Sequence, residues 1–146
     1  MITKRQSVFE TNSSSSHSIT ISDTTELLDS ITPDKDGNIV LTGGQFGWEI
    51  EDYEDALSKA NYCAVDVHGN DDYEQMLIDV IKEHTGAKNV IFEFTTDYSK
   101  DEDKDNYSYI DHLSSGTTHE AFSSNETLKA FIFNPNSVLH TDNDNH

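Results

Sequence analysis

Ser13, Ser14, Ser15 and Ser16 run directly into His17. Serine beside histidine is the raw material of nucleophilic catalysis, in which a base takes the hydroxyl proton and a third group orients the base. Such a serine must be held in place, and this tract has neither a flanking glycine turn nor an apolar anchor. It reads as a flexible arm or a hydroxyl-rich turn. A metal centre is the next chemistry to weigh, because the chain has seven histidines and one cysteine, Cys63. His68, His84, His112 and His119 are scattered, no pair has the spacing of a helical zinc site, and a single cysteine excludes a thiolate cluster. Asp34-Lys35-Asp36-Gly37-Asn38 opens like a calcium-binding EF-hand loop. Counted from Asp34, however, Ile39 stands where the loop needs glycine and Gln45 where it needs a bidentate glutamate. The segment therefore reads as a tight hairpin turn with Gly37 at positive φ. Gly43, Gly44 and Gly47 lack the spacing and the cation of a phosphate-binding loop. Carboxylate pairs for glycoside hydrolysis can be drawn anywhere among so many acids, so none is singled out. No catalytic residue, metal or cofactor is expected. A small enzyme using His17 or a carboxylate pair is kept as an alternative.

The chemistry the chain has in excess is negative charge. Asp and Glu total 28 against nine Lys and Arg, a formal net charge of -19. Solubility of a small domain asks for a net charge of about 2–8 in magnitude. A halophilic source is a competing explanation for the rest. Charge of this size opposes compaction and repels nucleic acid and anionic membranes, so the natural partners are basic proteins, basic peptides or cations. Seventeen of the 28 acids fall in three clusters. Residues 49–55 hold Glu49, Glu51, Asp52, Glu54 and Asp55, and residues 71–83 hold Asp71, Asp72, Glu74, Asp79 and Glu83. Residues 93–111 hold Glu93, Asp97, Asp101, Glu102, Asp103, Asp105 and Asp111. All of these except Asp79, Glu83 and Asp111 are taken as partner-binding candidates. Same-face neighbours on a strand lie about 7 Å apart, and helical i,i+4 neighbours advance about 6 Å. Both distances approach the spacing of successive phosphates on a nucleic-acid strand. A folded domain can thus display carboxylates where a DNA-binding protein meets phosphates, with Lys and Arg pairing to them in charge-assisted, salt-sensitive contacts.

The elements that must position these acids follow from periodicity. Residues 1–17 read as a flexible arm and Ser18–Ser22 as a strand. Asp23 with Glu26 marks the start of a short helix through Leu27, Leu28 and Ile31, ended by Pro33. Asn38–Thr42 alternates as a strand, and Gly43-Gly44 is a turn. In the following strand Phe46, Trp48 and Ile50 share one face, with Glu49 and Glu51 on the other. The plainest helix spans about residues 52–67. Its stripe is Tyr53, Ala56, Leu57, Ala60, Cys63, Ala64 and Val67, which makes Cys63 a core residue. His68-Gly69-Asn70 is a short connection favouring an antiparallel helix pair. Asp71 with Glu74 caps the second helix, whose stripe is Tyr73, Met76, Leu77, Val80, Ile81 and His84, and Gly86 closes it. Val90–Thr95 is a strand with Val90, Phe92 and Phe94 inward. Asp97–Asn106 is a charged loop, and Tyr107–Asp111 a further strand. Ser123 with Glu126 caps a last helix through Phe131. Val138-Leu139 is an edge strand, and residues 141–146 form a frayed tail. The fold class is α+β: a mostly antiparallel sheet with an antiparallel helix pair on one face, in one domain over residues 18–140. Met1–Ser7 has no apolar run behind its two cations and no stretch reaches membrane length, so a cytoplasmic protein is expected.

Val8-Phe9-Glu10-Thr11-Asn12-Ser13-Ser14-Ser15-Ser16-His17-Ser18 resembles the N-terminal signature of a group of small bacteriophage proteins. The acidic remainder resembles the phage DNA-mimic inhibitors, among them a Bacillus-phage early protein that blocks the DNA-binding surface of the bacterial histone-like protein HU. That resemblance implies an acidic binding protein acting in an infected host cell. It implies a basic host DNA-binding protein, HU first, as partner, and no active site, cofactor, membrane or direct nucleic-acid contact. The basic saddle and arms of HU suit a broad acidic surface better than one pocket. RNA polymerase, a nuclease or a defence protein remain alternative targets, and a homodimer stays open.

Overall fold

The computed structural model describes residues 15–22, 26–46, 50–96, 107–110 and 116–143. Within them the chain runs β1 (Ser15–Thr20), β2 (Asn38–Leu41), β3 (Gln45–Phe46), β4 (Glu51–Tyr53), α1 (Ala56–Asp66) and α2 (Asp71–Thr85). It continues through β5 (Asn89–Phe92), β6 (Tyr109–Ile110), a 3₁₀ turn (His119–Ser123), α3 (Asn125–Phe133) and β7 (Val138–Asn143). The fold is α+β, as expected. Its largest sheet is antiparallel with strand order β1-β7-β4. Two short parallel pairs, β2 with β5 and β3 with β6, accompany it. Parallel neighbours need a crossover connection, and both α1 and α2 lie in the one that joins β2 to β5.

Helix α1 is the central element. Its stripe residues Ala56, Ala60, Cys63 and Ala64 are buried, but so are Lys59, Tyr62 and Val65 on its other sides. Burial on several sides marks a helix largely surrounded by protein, though Leu57 on the stripe is 46% exposed, and α3 packs against both α1 and α2. Leu41, Leu77, Ile81, Leu128, Phe131, Phe133 and Leu139 fill the space between helices and strands without exposure. Helix α1 starts at Ala56 rather than near residue 52, because two carboxylates take its first amides. Asp55 accepts from the Ser58 N–H at 2.9 Å, and Asp29 accepts from the Ala56 N–H at 2.9 Å. Asp52 and Tyr53 are left to β4.

Other boundaries move for similar reasons. Residues 26–30 form no helix. Leu28 points out at 77% exposure while Ile31 is buried, and the backbone bonds that a helix would use go elsewhere. The Asp29 N–H donates to Phe133 O at 3.0 Å, and its carbonyl accepts from His84 Nε2 at 3.0 Å. Asn70, not Asp71, caps α2 by accepting from the Tyr73 N–H at 3.1 Å, and Ser124, not Ser123, caps α3. Val138-Leu139 is not an edge: β7 lies between β1 and β4, with Leu139 fully buried. It extends through Asn143 and pairs with a β1 that begins at Ser15. The arm expected to reach residue 17 and the tail expected from residue 141 thus both give residues to the sheet. Asp34 does form a tight turn, accepting from the Asp36 and Asn38 N–H groups at 2.9 Å each, but the turn leads into β2 rather than joining two hairpin strands. Gly43 is a position only glycine can fill. Its φ is +74°, and a Cβ there would lie 2.2 Å from Ser108 Oγ.

Candidate functional site

The acids divide into those the fold uses and those it leaves to solvent. Asp29, Asp34, Asp55, Asp66 and Glu74 accept backbone N–H groups. Of the partner-binding candidates, Asp55 is therefore the cap of α1. Glu74 accepts from the Gly69 N–H at 3.0 Å and lies 3.5 Å from His68 Nδ1. Asp52 pairs with His140, its cross-strand neighbour on β7. Glu51, Glu54, Asp71, Asp72 and Glu93 are exposed, and their carboxylates make no hydrogen bond or ion pair among the described residues. Glu49, Asp97, Asp101, Glu102, Asp103 and Asp105 lie outside the described residues.

Two of the three clusters are therefore placed on defined elements. The first follows β4 into the N-cap of α1, bringing Glu51, Asp52, Glu54 and Asp55 to one corner. Asp29, which the sequence reading had not selected, joins them through Ala56. The second opens α2 with Asp71, Asp72 and Glu74, where carboxylates complement the partial positive charge of a helix N-terminus. Helix α1 separates the two corners. Its 11 residues span about 16 Å at about 1.5 Å per residue.

Among the described residues, no lysine or arginine neutralises these corners. Lys35 and Lys88 are exposed at the start of β2 and β5, and Lys82 lies in the last turn of α2. Lys129 on α3 pairs with Glu83 at 2.9 Å. Lys59 is the cation one turn beyond Asp55, but it points inward. It is fully buried, and Nζ donates to the backbone carbonyls of Asn134 (3.0 Å) and Ser137 (2.8 Å) while lying 5.7 Å from the Phe131 ring centre. Burial lowers its pKa from 10.5 to about 8, against the opposing pull of Asp29, Asp55 and Glu54. It ties α1 to the link between α3 and β7. Sequence spacing gives no sign of this, since the carbonyls it meets are 75 and 78 residues away.

The remaining chemical candidates have structural roles. His17 Nδ1 is 2.8 Å from the hydroxyl of the buried Tyr62, which pins β1 to α1. Cys63 is fully buried, and that burial raises its thiol pKa well above 9.0, with Asp66 adding to the effect. Among the described residues no three of His, Cys, Asp and Glu converge as a metal site would require.

Two clefts meet where α1 ends. One, of about 160 Å³, lies between the end of α1, the start of α2 and the turn at residues 116–119. The other, of about 280 Å³, runs toward β6, and the two share Asp66 and His68. Asp66 is fixed by the Gly116 N–H (2.8 Å), the Thr118 N–H (3.0 Å) and the Thr118 hydroxyl (2.5 Å). Sequence spacing places Asp66 off the apolar stripe and gives neither it nor His119 a role.

The chain matches no family model, no curated protein and no solved structure. No described helix is long and apolar enough to cross a membrane.

Proposed function

We propose that this is a non-catalytic acidic binding protein whose carboxylates occupy the DNA-binding surface of a basic protein. The observation that carries this reading is the separation of charges. Glu51 and Glu54 at one corner, and Asp71 and Asp72 at the other, stand in solvent, while Lys59, one turn beyond Asp55, is turned into the core. Carboxylates without partners among the described residues keep their field for an external one, and such fields raise encounter rates and give salt-dependent affinity. The fold supports the display. Glu51 is on a short edge strand of a sheet, and Asp71 and Asp72 are on the first turn of a 15-residue helix. Neither His17 nor Cys63 supports an enzyme reading, since the first is held by Tyr62 and the second is sealed in the core.

The signature at residues 8–18 points to a phage-encoded DNA mimic acting in the cytoplasm of a bacterial host, with HU as the first partner to test. Purified HU bound to a labelled duplex is titrated with the protein at low salt. Release of the duplex supports the reading. If HU is not bound at low salt, that partner is excluded.

A further inference from the structure

We propose that the cleft between the end of α1, the start of α2 and residues 116–119 receives an arginine side chain of the basic partner. This rests on the acidic-surface reading and names a specific anchor within it. The cleft volume, about 160 Å³, exceeds the share of a single water, about 30 Å³, and falls below the roughly 300 Å³ at which drug-sized ligand pockets begin. One long side chain is the matching size. The lining is aromatic: Tyr73 stacks on Phe122 with centroids 5.0 Å apart and planes at 28°, and His119 stands edge-on to Tyr73 at 6.4 Å. Aromatic faces attract a guanidinium, which is planar and weakly hydrated, better than a compact ammonium.

The carboxylate of Asp66 supplies the counter-charge. It is held by three hydrogen bonds from residues 116–118. A carboxylate has about four lone-pair positions, so an acceptor direction is left over. Asp71, Asp72 and Glu74 open α2 beside it. The N-terminus of α2 contributes a partial positive charge of about half a unit, which would favour an anion if it stood alone. The full negative charge of Asp66, the one carboxylate among the cleft's lining residues, outweighs that half unit, and Asp71 and Asp72 on the first turn of α2 add to the local field, so the ligand is a cation. The adjoining cleft of about 280 Å³ continues past Thr96, Ser108 and Tyr109. A polypeptide lying across the Asp66–His68 ridge therefore has room on both sides, which favours a side chain on a partner protein over a free small molecule.

The test uses the full-length chain labelled with ¹⁵N, titrated at low salt with N-acetyl-arginine amide, with N-acetyl-lysine amide as the matched cation, and separately with HU. Saturable shifts are expected at Val67, His68, Tyr73, Thr118 and His119, with arginine bound at least about threefold more tightly than lysine. Tyr73→Leu, which keeps bulk and removes the π face, is expected to weaken arginine binding about fivefold, and Tyr73→Phe to preserve it. His119→Ala, at an exposed position, is expected to weaken it about twofold and serves if Tyr73→Leu folds poorly. Equal, diffuse shifts with both amides, or unchanged arginine binding in Tyr73→Leu and His119→Ala, overturn the proposal. HU binding with a silent cleft removes the arginine receptor and leaves the acidic-surface reading intact. Arginine in the cleft without HU binding removes HU as the partner and leaves the receptor.

Discussion

Replacing Lys59 by methionine tests whether the buried ammonium is a cost that the fold carries. The side chain keeps an unbranched stem out to the ε position and loses the charged Nζ. In the folded chain Lys59 releases its proton near 8, whereas the unfolded chain holds it up to 10.5. Between those values the unfolded state binds more protons, so stability rises with pH. The gap of about 2.5 pH units corresponds to roughly 3 kcal/mol in all, at about 1.36 kcal/mol per unit. Of this, roughly 1 kcal/mol falls between about pH 7 and pH 9. Cys63 works in the opposite sense at higher pH. Its folded pKa is raised above 9.0, so the stability it contributes is lost as pH rises beyond that value. The informative window therefore lies below 9.0. Near neutrality the substitution removes a desolvated charge and also removes a donor from the Ser137 carbonyl, while the Asn134 carbonyl keeps the Ser137 N–H at 2.9 Å. An orphaned buried acceptor costs about 1–3 kcal/mol, comparable to the gain, so the absolute change is small and the slope carries the information. Urea unfolding of both proteins in reducing buffer at closely spaced pH values gives that slope. Wild type is expected to gain roughly 1 kcal/mol over the variant between about pH 7 and pH 9. Parallel curves would refute the buried, desolvated ammonium.

Further substitutions probe the elements that hold the surface. Asp29→Ala removes the acceptor from the Ala56 N–H and is expected to cost about 1–2 kcal/mol in thermal or urea unfolding; Glu54→Ala, which breaks no described contact, is expected to stay within about 0.5 kcal/mol. Asp66→Ala strips three hydrogen bonds from residues 116–118. Faster amide exchange at Gly116 and Thr118, with a loss of about 2–3 kcal/mol, is the expected signature. Gly43→Ala and Gly86→Ala compare two left-handed glycines. A Cβ at Gly86 meets open space and is expected to cost about 1 kcal/mol, whereas at Gly43 it strikes Ser108 and is expected to cost clearly more by the same denaturation assay.

Sequence periodicity located much of the interior and little of the surface. The stripes from Ala56 to Val67 and from Tyr73 to His84 gave two helices and placed Cys63 in the core, because burial of an apolar face is recorded in local spacing. Asn38–Thr42 and Val90–Thr95 read as strands for the same reason, and β2 and β5 fall on them at Asn38–Leu41 and Asn89–Phe92. Their parallel pairing did not, because partners about 50 residues apart leave no local signal. Leu27, Leu28 and Ile31 imitate a helix, yet Phe133 and His84 claim the backbone of Asp29 and keep residues 26–30 out of one. Val138-Leu139 looked like an edge, being short and near the end of the chain, but it collects bonds from strands on both sides. Among the acids, sequence alone could not divide Asp55, Asp66 and Glu74, which the backbone uses, from Glu51, Glu54, Asp71 and Asp72, which it does not. That division depends on which N–H groups the fold leaves unpaired. Lys59 was hidden for the complementary reason, because its partners are carbonyls 75 and 78 residues away.

Competition for a DNA-binding surface tests the central claim most directly. Fluorescence anisotropy of a labelled duplex held by HU is followed as the protein is added, at salt from about 50 mM to about 300 mM. Stoichiometric release of the duplex is expected at the lower salt, with affinity falling steeply as salt rises. The combined variant Glu51→Gln, Glu54→Gln, Asp71→Asn, Asp72→Asn is expected to weaken release by about tenfold or more, with no more than about 2 kcal/mol of stability lost from the α2 N-terminus. No release at the lowest salt, or release by the neutralised variant equal to that of wild type, would contradict the assignment of these exposed carboxylates as the binding surface.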